Sequence, residues 1–389
     1  MRPPLIVLLA ASTLANTCSI GSFPSLLPEI ARESALPDWQ LGIFAGAFGF
    51  ARMVADVPAG VFITRRLAPA LIAGQLALAA GALVVTSGES FGVLFAGRAL
   101  MGIGYGLNML AGLTALLHAY AGGRLAVALN AVEFSAMIGL LGGAALVAVL
   151  PAALSWKTVL LASCAPQVFA IVLLPLVVRG LPRRAERSGG TATTATISTP
   201  ARGASLVPLA FAAGALVAIA YASVEQLVIP VRGSREFGLD RAGIAQLFML
   251  MQATDIAALI PLGMLADRIG AVKVLAGVTL AMAVASVLIA FTPLAGVTVG
   301  AALFGVAMAG WMIPLSVLRH ETPPALVAWR TALYRVGVDG GIFVGPFLGG
   351  LFAGRHLAVA ALALVVISVC LARAAATRRA GFEPVQYPP

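Results

Sequence analysis

The sequence predicts an all-α membrane protein with twelve transmembrane helices in two pseudo-symmetric six-helix bundles. Three observations carry this expectation. Of 389 residues, 60% are hydrophobic and 10% charged, with mean hydropathy +1.01. A soluble domain carries roughly 25% charged residues and cannot hide so much apolar surface, so lipid is the solvent for most of the chain. Twelve apolar runs approach or exceed the roughly 20 residues that a helix needs to cross a bilayer. A polar stretch then divides those runs six and six.

The runs are 4–28, 39–64, 68–87, 90–118, 125–150, 155–178, 205–230, 241–266, 270–292, 296–318, 326–353 and 356–373. They lack the alternation of barrel strands, and open sheets cannot span lipid. The first run contains Asn16, Thr17 and Ser19 and has no small-residue cleavage site, so it is expected to be a retained helix rather than a removed signal. The stretch 179–204 has the arginine, then Ser/Thr/Gly/Ala, composition of a linker. The expected organisation is an N-terminal bundle 1–178, a cytoplasmic linker 179–204, a C-terminal bundle 205–373 and a cytoplasmic tail 374–389.

The net charge of +10 comes from 25 basic and 15 acidic residues, and Lys157 and Lys273 are the only lysines. The arginines are scattered between apolar runs and form no basic face, so no nucleic-acid partner is expected. With a cytoplasmic N-terminus, 16 basic residues fall on the inner side. Six fall outside: Arg32, Lys157, Arg232, Arg235, Arg241 and Arg355. That bias places both termini and the linker in the cytoplasm, and the expected location is a bacterial inner membrane. Cys18, Cys164 and Cys370 lie far apart in apolar runs and read as small buried hydrophobes.

The halves repeat. Pro58-Ala-Gly-Val-Phe-Ile-Thr-Arg65 matches Pro261-Leu-Gly-Met-Leu-Ala-Asp-Arg268 at an offset of 203. Leu26-Leu27-Pro28 matches Val228-Ile229-Pro230 at 202, and Gly142-Gly143 matches Gly349-Gly350 at 207. Near-constant offsets indicate two copies of one six-helix unit. Parallel repeats of this kind place a substrate site between the halves near mid-membrane.

On these motifs the chain resembles the major facilitator superfamily along its whole length. Gly263-Met-Leu-Ala-Asp267-Arg268-Ile-Gly270-Ala-Val-Lys273 is similar to the family's Gly-x-Leu-Ala-Asp-Arg-x-Gly-Arg-Arg loop. Arg98-Ala-Leu-Met-Gly102-Ile-Gly104 is similar to its Arg-x-x-x-Gly-x-Gly element. Gly341-Ile-Phe-Val-Gly345-Pro346-Phe-Leu-Gly349-Gly350 is similar to its Gly-x-x-x-Gly-Pro-x-x-Gly-Gly element. The chain departs from the family pattern in two places. Thr64 stands where the first loop has Asp, with Ala68-Pro69 in place of its basic tail, and the fifth run has only Gly139-Leu-Leu-Gly142-Gly143. Glycine pairs also serve plain helix packing. Gly102-x-Gly104-x-Gly106 lies in an apolar run with no preceding strand, so it is no nucleotide fingerprint. There is no Walker-type loop either, and no cofactor is expected.

Eight charges interrupt the apolar runs: Arg52, Asp56, Arg98, Glu133, Glu225, Asp255, Arg335 and Asp339. A charge at mid-bilayer costs about 2.5 kcal/mol or more and marks a functional site by default. Arg52/Asp56 and Arg335/Asp339 are each four apart, so each pair can neutralise itself along one helix face. The resemblance implies that the second helix packs on the eleventh and the fifth on the eighth. The pairs would then exchange partners between halves, and Glu133 would face Asp255. The expectation is an inter-half ionic gate of Arg52, Asp56, Glu133, Asp255, Arg335 and Asp339, with Asp267 and Arg268 in the loop. One carboxylate would carry a proton, since five acids outnumber three arginines. A static set of salt bridges is the alternative.

The resemblance also implies a cavity lined by the first, fourth, seventh and tenth helices. Its polar candidates are Asn16, with Thr17 and Ser19, then Arg98, Tyr105, Asn108, Tyr221, Glu225, Gln226 and Trp311. So apolar a lining suits a small amphipathic organic molecule better than a sugar. The functional expectation is a monomeric, proton-coupled secondary transporter in the bilayer that moves such a small-molecule substrate by alternating access, with export favoured. The alternatives are proton-linked uptake of a small organic acid anchored by Arg98, and a membrane sensor that does not transport. His118, His320 and His356 show no metal-type spacing, so an intramembrane enzyme is not expected.

Overall fold

The structure, a computed structural model, describes residues 5–119, 125–181 and 206–380. Twelve long helices account for nearly all of them. They are α1 (Leu5–Glu33), α2 (Asp38–Arg65), α3 (Leu67–Ser87), α4 (Phe91–Ala119), α5 (Leu125–Val149) and α6 (Trp156–Gly180). The second half holds α7 (Val207–Arg235), α8 (Arg241–Ile269), α9 (Ala271–Phe291), α10 (Leu294–His320), α11 (Pro324–Phe352) and α12 (His356–Ala380). Eleven have the length and hydropathy to cross a bilayer. α11 has the length too, and carries Arg330, Arg335 and Asp339.

Helix ends differ from the apolar runs. α1 continues to Glu33 rather than 28, α7 to Arg235 rather than 230, and α12 to Ala380 rather than 373. The backbone bonds of a helix do not stop where the apolar residues do, and Ala and Arg are good helix formers. The expected tail therefore begins as helix, while its residues 381–389 and linker residues 182–204 lie outside the described residues. Local chemistry sets several other ends. Asp240 caps α8 by accepting from the Gly243 amide at 2.8 Å. Gly270 turns the chain from α8 into α9 at φ 95°, a conformation that favours glycine.

Two helices are irregular. In α7 residues Val224–Val228 form a π turn, and the Ile229 amide bonds the Val224 carbonyl five residues back. Pro230 follows directly, and it has no amide with which to continue the α-helical ladder. α10 is interrupted at 309–312, between Met308 and Ile313, where Gly310 and Pro314 weaken it.

Each helix hairpin reverses direction, so the bundle has a terminal side, where α1 begins and α12 ends, and a far side. The apolar core is unequal between them. On the far side, one cluster joins Phe23, Phe44, Phe48 and Trp156 to Leu227 and Ala245 of the other half. Another joins Ala144 of α5 to Ile244, Phe248 and Met251 of α8. On the terminal side, the cluster of Leu5, Ala59, Leu71 and Leu116 belongs to the first half alone, and that of Leu206, Leu275, Val317 and Leu371 to the second. The halves thus touch on the far side and part toward the terminal side.

Glycines set this contact. A Cβ on Gly46 would stand 2.7 Å from the Phe343 carbonyl oxygen, and one on Gly42 would strike the Pro346 carbonyl. Farther along α2, Gly60 faces open space. The paired glycines divide their work. Gly143 packs on the α1 backbone at Cys18 and Gly350 on Asp38 of α2, while Gly142 has nothing near it. The fourth-helix glycines are also packing devices: Gly102 lies against Phe48 of α2, and Gly104 against Leu78 of α3.

Candidate functional site

α2 and α11 run antiparallel at the seam, which sets residue 52 opposite 339 and residue 56 opposite 335. Arg52 Nη2 lies 2.8 Å from Asp339 Oδ1. Arg335 Nη2 lies 3.2 Å from Asp56 Oδ2, and its Nε donates to the same oxygen at 3.3 Å. Each ion pair joins one half to the other, in place of local pairing four residues apart. Asp56 and Asp339 are themselves close enough to interact, so the four residues act as one group. The Arg52 guanidinium also lies over the Tyr105 ring, 5.4 Å from its centroid. Gly106, with Asp56 and Arg52 at 3.5 and 3.6 Å from its would-be Cβ, leaves room for the quartet.

A second group of carboxylates has no such partners. Asp255 is 5% exposed, its Oδ1 has no hydrogen bond, and its electrostatic neighbours are Glu133 and Glu225. Among the described residues none of these three carboxylates forms a salt bridge. Glu133 is exposed, and its charge acts on Tyr105 inside the bundle.

A third group surrounds Arg98. It is 1% exposed and stacked on aromatic faces, 3.5 Å from the Phe23 centroid and 4.9 Å from that of Phe48. Its Nη2 donates across the seam to Gln226 Oε1 at 3.2 Å, and Gln226 Nε2 donates to Glu225 Oε1 at 3.2 Å. Arg98 Nε and Nη1 have no hydrogen-bond partner among the described residues. The π turn of α7 carries both Glu225 and Gln226, and a π turn inside a helix often marks a functional position. Tyr221 lies beside Glu225 and meets Trp311 edge-on at 5.5 Å, at the interruption of α10.

Other candidates stand apart from these groups. Asn108 turns its side chain toward Gly74 of α3, inside the first half. Asn16 is buried with Oδ1 unpartnered and makes no hydrogen bond to the Arg98 group. Asp267 and Arg268 are exposed at the terminal-side end of α8 and form no ion pair among the described residues.

Sequence reasoning missed the far-side closure. Arg241, buried at the start of α8, reaches Glu29 of α1 at 3.2 Å and the carbonyls of Leu154, at 2.8 Å, and Pro151. Arg235 of α7 bonds both oxygens of Asp38 of α2, at 2.7 and 3.1 Å. In the sequence both arginines are loop charges, because nothing in a single sequence pairs positions some 200 residues apart. The aromatic bed of Phe23 and Phe48 was missed because it lies on other helices, whose packing against Arg98 is a tertiary fact. Pro230 was the one local sign of the π turn.

Two helical bundles that meet at a charged seam, closed on one side and cleft on the other, define a membrane transporter rather than an enzyme. The profile described as Major Facilitator Superfamily matches residues 9–234 and 212–386, and the chain belongs to that family. No curated protein sequence matches it. Among solved structures it is similar to a POT family transporter in complex with 5-aminolevulinic acid (13% identity, TM-score 0.77, 96% of each chain covered). It is also similar to the nucleoside transporter NupG (12%, TM-score 0.67, 98% of this chain and 100% of that one). A third is a bacterial homologue of the human lysosomal transporter Spinster, inward-facing and occupied (15%, TM-score 0.67, 98% of each).

Proposed function

We propose that this transporter is proton-coupled and moves a small amphipathic organic molecule across a bacterial inner membrane by alternating access, with export as its direction. The termini lie in the cytoplasm, so the cleft of this structure faces inward. The observation that carries the coupling is Asp255, a buried carboxylate with no cation partner among the described residues and with Glu133 and Glu225 as its electrostatic neighbours. Arg52, Arg335, Asp56 and Asp339 neutralise one another across the seam and hold the halves together there. That leaves Asp255 and Glu133 as the groups whose charge changes with proton binding. Proton uptake by either removes repulsion between two helices of different halves, so it biases the equilibrium between the two closures. Arg98, with two unpartnered nitrogens, favours a second reading, proton-linked uptake of an organic acid.

Reconstituted vesicles under an imposed pH gradient test the coupling. Accumulation of phenylalanine, phenethylamine and 3-phenylpropanoate is followed for the wild type and for Asp255→Asn with Glu133→Gln. Gradient-driven accumulation of whichever compound is carried should vanish in the variant, while exchange of labelled for unlabelled compound continues. Accumulation by the variant at the wild-type level sinks proton coupling. The gradient direction that drives accumulation separates export from uptake.

A further inference from the structure

We propose that the molecule taken at this seam is a short zwitterion, an α-amino-acid headgroup on an apolar or aromatic tail. Its carboxylate rests on Arg98 and its ammonium on Glu225, in the place now held by the Gln226 amide. This deepens the transporter reading and rests on it.

The first ground is the unmet need of Arg98. A guanidinium has five donor hydrogens. This one is fully buried, gives one hydrogen bond, and leaves Nε and Nη1 without partners. The rings of Phe23 and Phe48 offer their faces to the cation and leave its donors free. A carboxylate matches the guanidinium fork with two parallel hydrogen bonds, which the single amide oxygen of Gln226 does not supply.

The second ground is the direction of Gln226. Arg98 offers only donors, so the amide turns its oxygen to Arg98, and its nitrogen then points to Glu225. The side chain is an acceptor toward a cation and a donor toward an anion, over the length of one amide group. An α-amino acid presents the same pattern with full charges, because its carboxylate and ammonium sit on adjacent carbons. A lone carboxylate would satisfy Arg98 and leave Glu225 without a cation, and a lone amine would do the reverse. Either leaves a buried charge uncompensated.

The third ground is position. Arg98 belongs to α4 and Glu225 to α7, so a zwitterion joins the two halves where a singly charged compound holds only one. A ligand shifts an equilibrium only through its differential affinity for the states, and bridging supplies that difference. Aromatic rings flank the two charged groups for a tail to rest on: Phe23 and Phe48 against Arg98 in one half, and Tyr221, in contact with Trp311, beside Glu225 in the other.

The test is thermal unfolding of the purified protein with L-phenylalanine and L-leucine, against phenethylamine, which lacks the carboxylate, and 3-phenylpropanoate, which lacks the ammonium. The two amino acids should raise the midpoint by on the order of 3 °C at saturation, and the single-charge analogues should not. Gln226→Glu is isosteric and gives Arg98 a permanent counter-ion, so the variant should fold and lose the amino-acid response. A response to either single-charge analogue as large as that to phenylalanine overturns the proposal. So does an amino-acid response that survives Gln226→Glu, or no response to any of the four. Binding of phenethylamine or 3-phenylpropanoate alone leaves proton coupling standing. Phenylalanine binding without gradient-driven accumulation overturns coupling and leaves the zwitterion site.

Discussion

Gly46→Val should turn the transporter toward the opposite closure. α2 and α11 meet backbone to backbone on the far side, and a Cβ on residue 46 would lie 2.7 Å from the Phe343 carbonyl oxygen and 3.0 Å from its ring. The obstacle is backbone, which cannot swing away as a side-chain tip does. Overpacking of this kind costs about 1–3 kcal/mol. The cost falls on the state in which the far side is closed, because the clash exists only there. A bias of that size changes the ratio of two states by roughly 5- to 150-fold. The assay is maleimide labelling in a background without Cys18, Cys164 and Cys370. Ser25→Cys reports the far side, where Ser25 is fully buried and lines a space of about 380 Å³ with Glu29, Arg32 and Arg241. Gly60→Cys reports the terminal-side cleft, one turn beyond Asp56. Gly46→Val should speed labelling at residue 25 about fivefold or more and slow it at residue 60. Unchanged labelling at both sites in a protein that still unfolds cooperatively refutes the reasoning. Faster labelling at both means general loosening, and refutes it too.

Four further outcomes follow from the same geometry. Asp339→Ala leaves Arg52 without its partner and should lower stability by about 3 kcal/mol or more, while the exchange Arg52→Asp with Asp339→Arg recovers most of it, both read by denaturant or thermal unfolding. Arg241→Ala strands Glu29 and two carbonyls and should cost about 3 kcal/mol and hasten labelling at Ser25→Cys. Arg235→Ala breaks a pair about half exposed on both sides and should cost no more than about 1 kcal/mol. Gly143→Ala drives a methyl into the Cys18 carbonyl and should destabilise by about 1–3 kcal/mol, whereas Gly142→Ala meets open space and should be neutral in the same unfolding experiment.

The sequence alone determined the membrane class, the twelve helices and their division into two related halves. These follow from composition, run length and repeat offset, which are properties of consecutive residues. It also singled out the interior charges, because a charge in an apolar run stands out wherever the helix lies. Which charges meet was decided only by the tertiary structure. Arg52 pairs with Asp339 rather than Asp56 because α2 and α11 pack antiparallel at glycine-set distance. Asn108 turns inward to α3 rather than to the cleft, and Arg241 closes the far side from what looked like an ordinary loop. The same packing leaves Asp255 without a cation and Arg98 with unused donors. An unmet polar group is defined by everything around it, and those surroundings come from several helices far apart in the chain.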